Sequence, residues 1–167
     1  MKKCVPVICA ALLLSLLCSC NVPSGKIKNF QPEQSFSSHV TISGTKTEFE
    51  ADLTCSGTDD ISLKFTAPEM LEGFNVRLNE NEYMIDAYGI ENCIKPDDID
   101  SGSVLNTFMK SLQLMIYSGK ASFSRTDVCI KAEVNSGGIS AMAAFDETGR
   151  ITSLSVPSKN LSADFYY

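Results

Sequence analysis

From Phe36 onward the chain alternates apolar and polar residues, and a period of two leaves few folds open. Phe49, Ala51, Leu53 and Cys55 take turns with Glu48, Glu50, Asp52 and Thr54. Successive side chains of a strand point to opposite faces, so this segment buries one face and shows an acidic one to water. The same beat recurs over 36–42, 61–67, 74–78, 128–134 and 139–145, with shorter runs around 151–156 and 161–166. Residues 83–88 carry apolar side chains on both faces, as a strand covered on both sides does. Turn residues separate the runs: Ser43-Gly44, Ser56-Gly57-Thr58-Asp59, Asn79-Glu80-Asn81, Ser136-Gly137-Gly138 and Asp146-Glu147-Thr148-Gly149. The pattern predicts roughly eight to ten short strands in an antiparallel meander that curls on itself.

One segment keeps a different period. Leu105, Phe108, Met109, Leu112, Met115 and Ile116 recur at spacings of three and four, which predicts an amphipathic helix over 103–117. Its apolar stripe is about 22 Å long. Asp97, Asp98 and Asp100 precede it, where negative charge suits a helix N-terminus. Ser101 or Ser103 is placed to cap it and Gly119 to end it. Between Phe65 and Phe74, Pro68-Glu69-Met70-Leu71 breaks the sheet as a single helical turn.

The N-terminus is a separate unit. Lys2 and Lys3 are followed by a 13-residue apolar run, Val5 to Leu17, interrupted by Pro6 and Ser15. A basic start and a short apolar stretch mark a secretory signal peptide. A membrane-spanning helix needs about 20 apolar residues, so the run is too short to remain as one. Leu17-Cys18-Ser19-Cys20 resembles the lipobox of bacterial lipoproteins: an aliphatic residue, a tolerant position, a small residue, then cysteine. That resemblance implies a signal peptide over 1–19, with Cys20 lipidated on its sulfur and forming the mature N-terminus. Cys18 fits worse, because Leu17 stands where a small residue is required; the other reading is an ordinary signal peptide that contains cysteines. Residues 20–35 hold two prolines and a glycine and read as a lipid-anchored tether of at most about 50 Å. The remainder, 36–167, reads as a single domain.

Of 167 residues, loss of the first 19 leaves 148, enough for a real core. Lys2 and Lys3 go with the leader, leaving 12 basic against 20 acidic residues, a net charge of −8. That balance excludes nucleic acid as a partner, which calls for a basic footprint. Cys55, Cys93 and Cys129 remain beside Cys20. Three thiols cannot all pair, which leaves an intermolecular bond, a free thiol or a reducing exterior, and no bridge is assigned. Cys55 falls on the apolar side of its strand and Cys129 on the polar side.

Catalytic patterns are missing from the sequence. His39 is the one histidine and points outward with Thr41, opposite to Val40 and Ile42. No serine stands in a G-x-S-x-G elbow. Counted from Asp98, the acidic loop puts glycine and Met109 at the wrong positions for an EF-hand. The cysteines lie too far apart for a zinc site. No catalytic residue, metal or cofactor is expected, and the chain reads as a non-enzyme.

The stretch from Phe49 to Gly89 resembles the carrier-type (Lol-like) lipoprotein superfamily. It runs through Leu63-Lys64-Phe65 and Ala67-Pro68-Glu69-Met70-Leu71-Glu72-Gly73-Phe74 to Ala87-Tyr88-Gly89-Ile90. Small Gram-positive envelope lipoproteins, some linked to spore germination, look similar there. The resemblance implies an α+β, mainly β fold: a strongly curved antiparallel sheet, an incomplete barrel, with the amphipathic helix on its concave side. The N-terminal helix usual in that superfamily has no counterpart in the tether. Two functions follow as expectations for a protein lipid-anchored on the outer, extracytoplasmic face of the cell membrane. It binds a lipid or acyl chain in a pocket lined by Leu53, Leu63, Phe65, Val76, Leu78, Phe108 and Leu112, with the polar head near Tyr83 or Tyr88. Alternatively it is an adaptor that docks a cell-envelope enzyme and has no cavity.

Overall fold

The structure, a computed structural model, describes residues 25–57, 60–79, 82–95, 98–100 and 103–167. The leader, Cys20, Asp97 and Ser101 lie outside these residues. Twelve strands among them form one antiparallel sheet. They are β1 (Lys26–Ile27), β2 (Ser35–Ser43), β3 (Glu48–Ser56), β4 (Asp60–Ala67), β5 (Phe74–Asn79), β6 (Glu82–Ala87), β7 (Ile90–Ile94), β8 (Ser122–Arg125), β9 (Ile130–Ser136), β10 (Ile139–Phe145), β11 (Ile151–Val156) and β12 (Leu161–Tyr166). The one α-helix among the described residues, α1, spans Val104–Ile116, and Glu69–Leu71 forms a 3-10 turn. The fold is mainly β with the sheet left open, as an incomplete barrel is.

Two meanders, β2 to β7 and β8 to β12, are joined by pairing of β12 with β2, and β1 adds to β8. The edges of the sheet are therefore β1 and β7. The helix is the crossover between the meanders, carrying the chain from the β7 edge back to β8, about 20 Å along its axis. The register explains the core. Leu53 pairs with Leu63, Leu63 with Val76 and Val76 with Ile85, so one row of apolar side chains runs across four strands. Cys55, Ile61, Leu78 and Tyr83 make the next row. A bulge between Ala144 and Phe145 shifts the β10–β11 pairing, which is why Ile151 and Leu154 are both buried although three residues apart.

Helix α1 beds on β9, β10, β11 and β12. Small residues permit this: Ala132, Ala141, Ala143 and Ala163 are buried beneath it. The helix occupies the room that these small side chains leave. Ser103 stands at the N-cap with extended φ/ψ of −59°/129°, but its side chain makes no capping bond; its carbonyl accepts from Thr107 N–H at 2.9 Å. Three strands escaped the periodicity, β1, β7 and β8, and all lie at the ends of the sheet. Residues 25–35 also depart from the expected free tether: Ile27 pairs with Phe123, and Phe30 packs on the core.

Candidate functional site

The pocket expected between helix and sheet is filled by its own side chains. Leu53, Leu63, Phe108 and Leu112 have 0% exposure, so no water-sized space adjoins them. Phe65, Val76 and Leu78 are nearly as enclosed. Phe108 stacks on Phe165 of β12 at 6.3 Å between ring centroids. None of the seven borders the clefts described below. Tyr83 is buried rather than at a rim, and its hydroxyl donates to Asn106 Oδ1 of the helix at 3.1 Å. Burial pushes that phenol up to about 12. Tyr88 sits on the exposed β6–β7 turn, with its ring edge-on to Phe74.

An open cleft lies at the other end of the helix. It has a volume of about 440 Å³ and runs between residues 26–34, the last turn of α1 and the start of β8. Residues 25–34 are pinned at two places. At the first, β1 pairs with β8, and Arg125 N–H donates to the Gly25 carbonyl at 3.3 Å. At the second, Glu33 N–H donates to the Gly149 carbonyl at 2.8 Å, and Tyr117 Oη donates to the Gln34 carbonyl at 2.7 Å. The Glu33 carboxylate also meets Arg150 Nε at 3.2 Å. Between the pins, Phe30 turns inward to meet Phe123 at 5.0 Å and Phe145 at 5.6 Å. Irregular backbone held at two points cannot interdigitate with a helix as a strand does, and space remains beneath it.

The walls and rim of this cleft differ in chemistry. Ile27, Phe30, Met115, Ile116 and Phe123 give it apolar walls, and Lys26 and Lys28 are exposed at its rim. Among the described residues no Asp or Glu lines it, although the chain carries 20 acidic residues. A signal for this site was present in the sequence: Lys26-Ile27-Lys28 is a minimal alternation, and Phe30 is a large apolar residue in a polar segment. A second cleft, of about 250 Å³, lies between Asn106, Thr107 and Lys110 of the helix and the turns at Gly137-Gly138 and Ser158-Lys159.

His39 does not sit in a catalytic arrangement. It lies on the outer face, with Nδ1 at 3.1 Å from Asp52 Oδ1 and Nε2 at 3.7 Å from Glu50 Oε2. Cys55, Cys93 and Cys129 are free thiols. Burial pushes the Cys55 thiol up to about 12, against the opposing effect of a hydrogen bond with Tyr117, which makes it a poor nucleophile. Among the described residues no group of three His, Cys, Asp or Glu side chains is placed to hold a metal ion. No helix among them is long and apolar enough to cross a membrane.

No family model and no curated protein matches the chain. Among solved structures, it is similar to a LolA superfamily protein from Nitrosomonas europaea, at 9% identity and a TM-score of 0.43, over 81% of this chain and 86% of that one.

Proposed function

We propose that the protein is a non-enzymatic, lipid-anchored protein of the bacterial cell envelope that holds one acyl-chain amphiphile with an anionic head. The observation that carries this reading is the 440 Å³ cleft, apolar on its walls and lysine-bearing at its rim in an otherwise acidic chain. Its volume falls within the range of about 300–1,000 Å³ usual for small-molecule sites. The tail rests against Ile27, Phe30, Met115, Ile116 and Phe123, and the head lies near Lys26 and Lys28. Each buried methylene contributes about 0.8 kcal/mol, whereas each exposed lysine adds about 1 kcal/mol or less, so the tail supplies most of the affinity. A lipid on Cys20 would hold Lys26 within about 21 Å of the bilayer, close to a reservoir of such ligands.

The test is uptake of a fluorescent fatty acid by the full chain in non-ionic detergent. Saturable binding is expected. Lys26→Glu with Lys28→Glu should weaken it about ten-fold while leaving the melting temperature unchanged. In the same cells, Cys20→Ala should abolish labelling from radioactive palmitate. Absence of saturable uptake eliminates the lipid reading and leaves the enzyme-docking one, which the closed core at Leu53, Leu63, Phe108 and Leu112 favours.

A further inference from the structure

We propose that β7 is a self-complementary docking edge through which two copies of this chain pair antiparallel about Cys93. The two edges of the sheet differ in what they offer. β1 is two residues long, begins with Lys26, is followed by Lys28, and is too short to template another strand. β7 is five residues long and regularly paired to β6 on one side, with four of its five residues exposed.

The hairpin geometry fixes which backbone groups are free. Tyr88 and Gly89 both have positive φ, 56° and 84°, the signature of a two-residue type I′ turn. Such a turn makes the flanking Ala87–Ile90 pair a hydrogen-bonded one, and hydrogen-bonded and open pairs then alternate. Ile90, Asn92 and Ile94 thus spend their backbone groups on β6. The N–H and C=O groups of Glu91 and Cys93 point to the open edge, joined just past the strand by the N–H of Lys95, whose carbonyl accepts from Asp98 N–H at 3.0 Å.

Charge selects the register. Centring two antiparallel β7 strands on Cys93 sets Glu91 of each copy opposite Lys95 of the other and uses the groups that remain free, about four hydrogen bonds in all. Centring on Glu91 sets two glutamates face to face, which is destabilising. Centring on Asn92 sets Glu91 against Cys93 and leaves Lys95 without an opposite charge. Isolated charges on an edge guard against pairing. These two guard against every register considered except the one in which they neutralise each other. In that register the Cys93 side chains lie on the outer face, the face of Met84, with Cα atoms about 5.5 Å apart, within disulfide range.

The experiment is cross-linking of the full-length chain in its host membrane with a short bis-maleimide, read as dimer on a denaturing gel. A dimer is expected that Cys93→Ser removes and Cys129→Ser keeps. Glu91→Lys should cut its yield about ten-fold, and Glu91→Lys with Lys95→Glu should restore it. Size-exclusion chromatography with light scattering on the detergent-solubilised wild type should show a concentration-dependent dimer that is lost in Glu91→Lys. A dimer that persists in Cys93→Ser, a yield indifferent to Glu91→Lys, or a failure of the double charge swap to restore it would overturn the register. A monomer at every concentration would overturn the pairing itself.

Discussion

Helix α1 meets the rest of the molecule in two ways. Around Phe108 and Leu112 it is sealed: both side chains have lost all contact with water, and fully paired strands face them. Around Met115 and Ile116 the same helix borders a cleft of about 440 Å³, because the chain opposite is a two-residue strand followed by irregular backbone. The apolar stripe is continuous, so the difference comes from the opposing layer. A strand presents a side chain to the core every second residue. The segment 28–32 presents Phe30 and then follows its own pins. Room for a ligand arises where regular structure stops.

Substitutions at the sealed end should have the largest effect. Leu112→Asp places a charge where no water reaches, and should cost about 4 kcal/mol or more, lowering the melting temperature by roughly 10 °C or more. An unchanged melting temperature would mean that the two ends of the helix are alike. Phe30→Ala at the open end removes a half-buried ring from a cluster with Phe123 and Phe145. A fully buried Phe costs about 3–5 kcal/mol on truncation, so about 2 kcal/mol is expected here. The same substitution enlarges the cleft and unpins 28–32, so fatty-acid uptake should change several-fold. If Leu112→Ala altered uptake as much as Phe30→Ala at equal stability, the ligand would belong in the core after all.

The sheet was legible wherever a strand has one dry face. The runs through Leu53, Leu63 and Val134 announced themselves by alternation, and the helix by its stripe; helix ends shifted by one residue, from 103–117 to 104–116. β7 and β8 did not, because neither buries a whole face: Ile90, Glu91, Asn92 and Cys93 are all exposed, and β8 holds only two half-buried residues. An edge strand is specified by its neighbour's hydrogen bonds, which a sequence does not display. The site was hidden for a related reason. Ile27 and Phe30 are the apolar residues of a proline- and glycine-bearing segment, and composition there outweighed position. What fixes that segment is the carbonyl of Gly149, the Tyr117 hydroxyl and the ring of Phe123, all more than 80 residues away in the chain.

The smallest effect, and the most local, is expected at the second pin. Gly149 belongs to the turn built on Asp146, whose Oδ1 accepts from Thr148 N–H at 2.8 Å, Thr148 Oγ1 at 2.7 Å and Arg150 N–H at 3.0 Å. Burial pushes this carboxyl up, but the bonds from Thr148 and Arg150 and the Arg150 charge outweigh it, and its pKa ends below the ordinary value. Asp60, on the sealed side, is also lowered, chiefly by its two bonds from Arg77 at 2.7 and 2.8 Å. A carboxyl lowered by folding contributes stability that is present above its unfolded value, about 3.9, and lost as pH falls through the folded one. Both therefore weaken the protein in acid, in different places. Protonating Asp146 loosens the turn that presents the Gly149 carbonyl to Glu33 N–H, so the open end should yield there. Hydrogen exchange at the Glu33 amide, corrected for its intrinsic pH dependence, should lose protection as pH drops below about 4. Asp146→Asn keeps an acceptor oxygen but cannot titrate, so it should flatten that loss; Asp60→Asn should leave it unchanged. Equal flattening by both variants would mean that the pin at Glu33 opens only with the whole domain, and the cleft would then share the rigidity of the sealed core.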